Sequence, residues 1–205
     1  ATLAKINNQI DTLILQQTKF PEGPWIIELG EFIPEQAPLI GQKATNLAKI
    51  KKELNGRVPD GFVITNSVCG FFLQQAGVIE IASRLEGIFE EKGQRALEEA
   101  CQKVQQVLHQ IPLPHEISSA ISQAYNILFA DKQHPLAVRS SALGEDGDVS
   151  HAGQYLTMLH VPPCELSQAW RSIVASAFTP DTVIYRYRHG LDFQQAGMAV
   201  LVSFC

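Results

Sequence analysis

The chain has 205 residues, 45% of them hydrophobic and 18% charged, with a net charge of -5. It is too apolar for a disordered chain and long enough for one large domain or two small ones. No apolar run approaches the roughly 20 residues that span a bilayer. The acidic balance excludes a protein built to grip a nucleic-acid backbone, whose footprint is basic. Four separated cysteines, Cys69, Cys101, Cys164 and Cys205, carry no CxxC or Cys/His spacing of a zinc site. They read as free thiols in a reducing, cytoplasmic setting, each a small buried hydrophobe.

In chain order, Ile6, Ile10, Leu13 and Ile14 recur at helical spacing and predict an amphipathic helix within 1–19. The Phe20–Pro24 stretch breaks it, and Trp25–Leu29 predicts a short strand. After Gly41, the stripe Ala44, Leu47, Ile50, Leu54 predicts a helix stopped by Asn55-Gly56. A Val58–Gly61 turn leads into a β-rich Phe62–Thr65, and Asn66 or Ser67 is the expected cap of the next helix. From 78 to 130 three helical stripes follow, divided at Gly93 and at Ile111–Pro114. This predicts a helical subdomain inserted into something else. Strand chemistry returns at Pro135–Ser140, then a polar acidic loop from Ser141 to Gly153, then a strand over Tyr155–Val161. Leu166, Trp170, Ile173 and Ala177 mark a helix, Thr179-Pro180 starts another, and Met198–Val202 is a last strand. That apolar strand runs almost to Cys205, so the polypeptide is expected to continue beyond it. The expected organisation is a helical arm over 1–24, a discontinuous α/β lobe over 25–77 and 131–205, and the helical subdomain over 78–130.

Three places can carry chemistry. Gly41-Gln42-Lys43 opens a strong helix, whose unpaired first amides and partial positive charge suit an anion. The GxxxxGK[ST] spacing of a Walker loop is absent. The bland alternative is a lysine on a solvated helix face. Arg139 ends an apolar strand before Ser140 and Ser141, placing a fork of donors at a sheet end. The alternative there is an ion pair with acidic residues downstream. The loop Gly144–Gln154 holds carboxylates, glycines and His151, but lacks the ligand alternation of a calcium loop and the G-x-S-x-G elbow of a hydrolase. It also reads as an ordinary solvated turn. The remaining histidines show no ligand spacing, and Arg186, Arg188 and His189 read as a basic cluster on a solvated helix face.

Taken together, IGQKATNLAKI, VPDGFVIT, AVRSSALGED with SHAGQYLTMLHV, and WRSIVASAFTPDTVIYRYRHGLD with MAVLV follow one another in order over about 39–205. They resemble the N-terminal ATP-binding domain of the phosphoenolpyruvate synthase and pyruvate phosphate dikinase family, which also includes rifampicin phosphotransferase and glucan water dikinase. The resemblance implies an α+β fold, the first lobe of an ATP-grasp-type nucleotide-binding unit. It implies ATP as ligand, with Lys43 and Arg139 on the family's phosphate-contacting positions, Gly153 in its glycine loop and Ser203 beside the adenine linker. Mg2+ is expected on acidic residues of a second lobe outside this chain. Partner domains of the same polypeptide would carry the phosphohistidine and bind pyruvate. The chain alone would then be catalytically incompetent. The other readings are the ATP module of a rifampicin- or glucan-phosphorylating relative, and a non-catalytic nucleotide-binding module. Two departures stand out: Gln42 replaces the second glycine of the family's GGK, and His151 replaces an apolar residue before Ala152-Gly153. Ser150-His151-Ala152-Gly153 is similar to the family's phosphohistidine motif. The upstream VRSS and the downstream strand place it instead in the ATP-side loop.

Overall fold

The structure is a computed structural model that describes residues 20–54, 58–129, 134–142, 156–191 and 197–205. The predicted N-terminal helix and most of the acidic loop, with His151 and Gly153, lie outside the described residues. The elements are β1 (Ile26–Glu28), α1 (Ala37–Glu53), β2 (Gly61–Ile64), α2 (Asn66–Gln75), α3 (Ile79–Ala82), α4 (Leu85–Gln110), α5 (His115–Phe129), β3 (Leu136–Ala142), β4 (Thr157–Val161), α6 (Leu166–Ser176), α7 (Pro180–Arg188) and β5 (Met198–Phe204). The five strands form one sheet in the order β1-β2-β5-β3-β4, with every neighbouring pair antiparallel. The fold is therefore α+β, as expected.

The two-residue period of a strand sorts its side chains onto opposite faces. On one face Phe62, Ile64, Val138, Met198, Val200 and Val202 join a single large core with buried residues of α2 to α7, including Phe72, Val104, Ile121, Trp170 and Val183. The helices of 78–130 thus share their interior with the sheet. On the other face Ile27, Val63, Ala199 and Leu201 meet Leu39, Ile40, Ala44 and Ala48 of α1 in a smaller core. That sorting decides where a site can be. One face is buried under six helices; α1 is the helix whose residues pack on the other.

Several local features differ from the sequence pattern. Thr65, not Asn66 or Ser67, occupies the N-cap of α2, and its hydroxyl makes no cap bond. It donates instead to the Pro24 carbonyl at 2.8 Å, strapping the chain before β1 onto the sheet. Gly93, with φ 79° and ψ -174°, is not helical and divides α4 into two helical pieces across a kink, as the sequence placed it. Thr179 does cap α7, its hydroxyl accepting from the Thr182 amide at 3.3 Å, with Pro180 in the first turn. Lys51 near the end of α1 donates to Val58 O at 3.1 Å and to Asp60 at 2.9 Å, so the VPDG turn is tied to the helix preceding it.

One buried charge and two exposed thiols correct the sequence reading. Arg186, read as part of a solvated cluster, is 0% exposed. Its Nε donates to Glu86 Oε1 at 2.8 Å and its Nη1 to Ala177 O at 2.6 Å, joining α7 to α4. Among the cysteines, Cys69 and Cys101 are buried whereas Cys164 and Cys205 are exposed. Burial pushes both buried thiols up to about 12, so they stay neutral and act as apolar filling. No helix among the described residues is long and apolar enough to cross a membrane.

Removing Glu86 strands a guanidinium in the core. Replacing Glu86 by Ala is expected to lower unfolding stability by about 3 kcal/mol, with Glu86→Gln milder because an acceptor remains. Urea denaturation checks this, and a change below about 0.5 kcal/mol would show that the pair contributes little.

Candidate functional site

Helix α1 is two helical pieces joined at Gly41, whose φ of 71° and ψ of 174° are not helical. The second piece therefore begins at Gln42, and Lys43 stands in its first turn. A glycine has no side chain to cap the amides exposed there. The hydroxyl of Ser141, on β3, accepts the Ala44 N–H at 3.0 Å from 97 residues away. Thr45 sends its own hydroxyl back to Gly41 O at 2.7 Å. On the other side of the turn, Asn66 Nδ2 holds Pro38 O at 2.8 Å.

Gly41 is required by space as well as by conformation. A Cβ at this position would lie 2.2 Å from the Ser141 carbonyl oxygen and 2.8 Å from its hydroxyl. The helix start is thus seated directly on the strand backbone.

Arg139 is the one exposed residue of β3; every other residue from Leu136 to Ala142 is buried. It lies two residues before Ser141, so it shares the face that α1 packs on. The register sets Arg139 opposite Leu201 on β5 and opposite Thr157 on β4. Thr157 is exposed, and Leu159, two residues along, is 53% exposed. On this face α1 packs over β2, β5 and β3, where Ala137 and Ser141 are buried, and leaves Arg139, Thr157 and Leu159 exposed toward β4. Arg139 stands at the boundary. Lys43, also exposed, comes immediately before the amide that bonds Ser141. Two cations from distant parts of the chain thus flank one contact.

Ser203 lies on the same face as Leu201, paired with Ala137 on one side and Gly61 on the other. It is diagonal to Arg139, roughly 7 Å further along the sheet. It is 7% exposed, and its hydroxyl donates to the Phe204 carbonyl at 3.3 Å. Gln42, the departure from the expected glycine, donates from Nε2 to Asn46 Oδ1 at 3.2 Å, along the helix. Gly153 lies outside the described residues, as do the acidic residues after Leu143 that were the alternative partners of Arg139.

The sequence placed Ser141 in a loop. The structure extends β3 through Ala142 and makes Ser141 the link between strand and helix. Its position two residues after Arg139 was the available signal, because a strand continued past Ser140 returns that residue to the Arg139 face.

Neither Lys43 nor Arg139 lines the cavity of about 700 Å³ bounded by Phe20, Trp25, Ser67, Phe71 and Ile79. Nor do they line that of about 570 Å³ beside His134, His160 and Phe204. Among the described residues no group of three or more His, Cys, Asp or Glu side chains could hold a metal ion.

Residues 37–204 match the family model described as the pyruvate phosphate dikinase AMP/ATP-binding domain. The chain belongs to that family. Its relatives include a probable phosphoenolpyruvate synthase of Methanocaldococcus jannaschii, 28% identical over 93% of this chain and 16% of that protein. The phosphoenolpyruvate synthase of Aquifex aeolicus is 32% identical over 87% of the chain and 22% of that protein. A rifampicin phosphotransferase of Bacillus subtilis is 28% identical over 87% of the chain and 21% of that protein. The chain thus spans about a fifth of the length of these relatives.

The seating of α1 on β3 has a direct test. Gly41→Ala adds a Cβ in a left-handed backbone and against a carbonyl, and is expected to destabilise the fold by about 2 kcal/mol or more. Thermal or urea unfolding measures it, and a neutral effect would show that the turn adjusts without strain.

Proposed function

We propose that the chain is the ATP-binding first lobe of a phosphoenolpyruvate synthase-like dikinase, of the ATP-grasp type. The observation that carries this is the junction at Ser141. It brings the helix start with Lys43 and the strand with Arg139 onto one partly open sheet face.

Each residue has a part in the reading. The amides of Gln42 and Lys43, which open the second piece of α1, and the Lys43 ammonium present positive charge to phosphate oxygens. The planar fork of Arg139 binds two oxygens at once. Such groups hold an anion in position and stabilise charge that spreads over a phosphoryl group in transfer, and positioning and charge stabilisation are most of what that chemistry requires. In this reading Gly153, outside the described residues, belongs to the glycine loop that contacts ATP, and Ser203 stands toward the adenine end. Bound ATP supplies the phosphoryl group. Mg2+ would be held by acidic side chains of a second lobe.

In this reading further domains of the same cytoplasmic polypeptide carry the histidine that receives the phosphoryl group and the pyruvate that it reaches. The small share of each relative's length that the chain spans supports further domains. The isolated chain is then inactive in transfer. A second reading, supported by the rifampicin phosphotransferases among the relatives, keeps the same ATP site with a different final acceptor.

Lys43→Ala and Arg139→Ala in the complete polypeptide are each expected to weaken ATP binding by about 10- to 100-fold, the range of a lost charge-assisted hydrogen bond. Isothermal titration with ATP reads this. Unchanged affinity in both variants would remove the pair from the site.

A further inference from the structure

We propose that Ser141 is a positioning residue of the ATP site. Its hydroxyl supplies, from β3, the N-cap that the Gly41 turn cannot provide, and so sets Lys43 relative to Arg139. The inference rests on the reading that these two cations bind the phosphates.

Helices beginning with a Ser, Thr, Asp or Asn cap satisfy a first-turn amide from their own chain. Here the corresponding position is Gly41. Thr45 does not compensate, because its hydroxyl donates to Gly41 O. Gln42 is turned along the helix to Asn46. Asn66 holds the segment before the turn, at Pro38. The bond from Ala44 N–H to Ser141 Oγ is the hydrogen bond in this group that ties the helix start to the strand bearing Arg139. Ser141 is itself 0% exposed, so water does not compete for the bond.

The position is fixed in more than one direction. The hydroxyl bond sets the rotation of the first turn about the helix axis. The close approach of Gly41 to the Ser141 carbonyl sets the height of the helix above the strand. Lys43 is one residue from the bonded amide and Arg139 two residues from the bonded hydroxyl. A shift of about 1 Å in such a seat is enough to misplace a phosphate.

The neighbouring serine is a built-in control. Ser140 is also 0% exposed, points to the other face of the sheet, and has a hydroxyl with no hydrogen-bond partner. The two serines match in type, burial and strand. They differ in the bond to α1.

The experiment measures ATP binding to the complete polypeptide by calorimetry for Ser141→Ala, Ser141→Cys, Ser140→Ala, Lys43→Ala and the Lys43→Ala/Ser141→Ala double variant, with thermal melts alongside. Ser141→Cys keeps the side-chain volume and loses most of the acceptor strength, so it answers if Ser141→Ala fails to fold. The expected result is about tenfold weaker binding for both Ser141 variants, as for a lost helix cap, and no change for Ser140→Ala. In the double variant the Ser141 penalty shrinks to within about twofold of Lys43→Ala alone, because Ser141 acts through Lys43. A purely structural role would instead leave the two penalties multiplicative. Multiplicative penalties, or unchanged binding in the Ser141 variants while Lys43→Ala is impaired, would overturn the inference and leave the proposed function standing. Unchanged binding in Lys43→Ala would overturn both.

Discussion

One hydrogen bond organises the candidate site: the amide of Ala44 to the hydroxyl of Ser141. It joins the start of the second piece of α1 to β3, across 97 residues of chain. The strand β2 and the helices α2 to α5 lie between the two residues in the chain. The bond is only as good as the approach beneath it, and that approach depends on Gly41. A glycine at φ 71° lets the backbone pass against the Ser141 carbonyl, where any side chain would collide. The glycine therefore serves both to turn the helix and to seat it. The serine then repairs the amide that the glycine leaves uncapped.

The asymmetry of the sheet sets where the candidate site lies. Six helices bury one face in a continuous core, held in part by the Arg186–Glu86 pair between α7 and α4. On the other face α1 covers β2, β5 and most of β3, and Arg139 with the outward residues of β4 remains exposed. A polar ligand resting there meets the helix start on one side and Arg139 beneath. Ser203 on the same face extends the line toward the end of β5.

Much of this was legible in the residues, because period and punctuation reported it. The apolar stripes of α4 and α5, the Pro180 start of α7 and the run of β5 all follow from spacing. Lys43 at a helix start and Arg139 on a strand were equally readable as positions. What could not be read was which positions meet. The strand order β1-β2-β5-β3-β4 pairs the last strand with the second and third, and no local pattern encodes that. Ser141 looked like loop because serines and the acidic stretch after it dominate the local composition. Tertiary packing against Gly41 extends the strand there. Arg186 misleads for a related reason. It reads locally as a solvated cation, and it spends its polar atoms on distant partners instead, Glu86 and Ala177 O.

The central claim is that the junction of α1 with β3 is where a triphosphate rests. Amide hydrogen exchange of the complete polypeptide, with and without ATP and Mg2+, tests it most directly. The account predicts ATP-dependent protection concentrated in residues 39–47 and 137–142. Protection confined to other regions, such as the cavity beside Trp25 and Phe71, would contradict it.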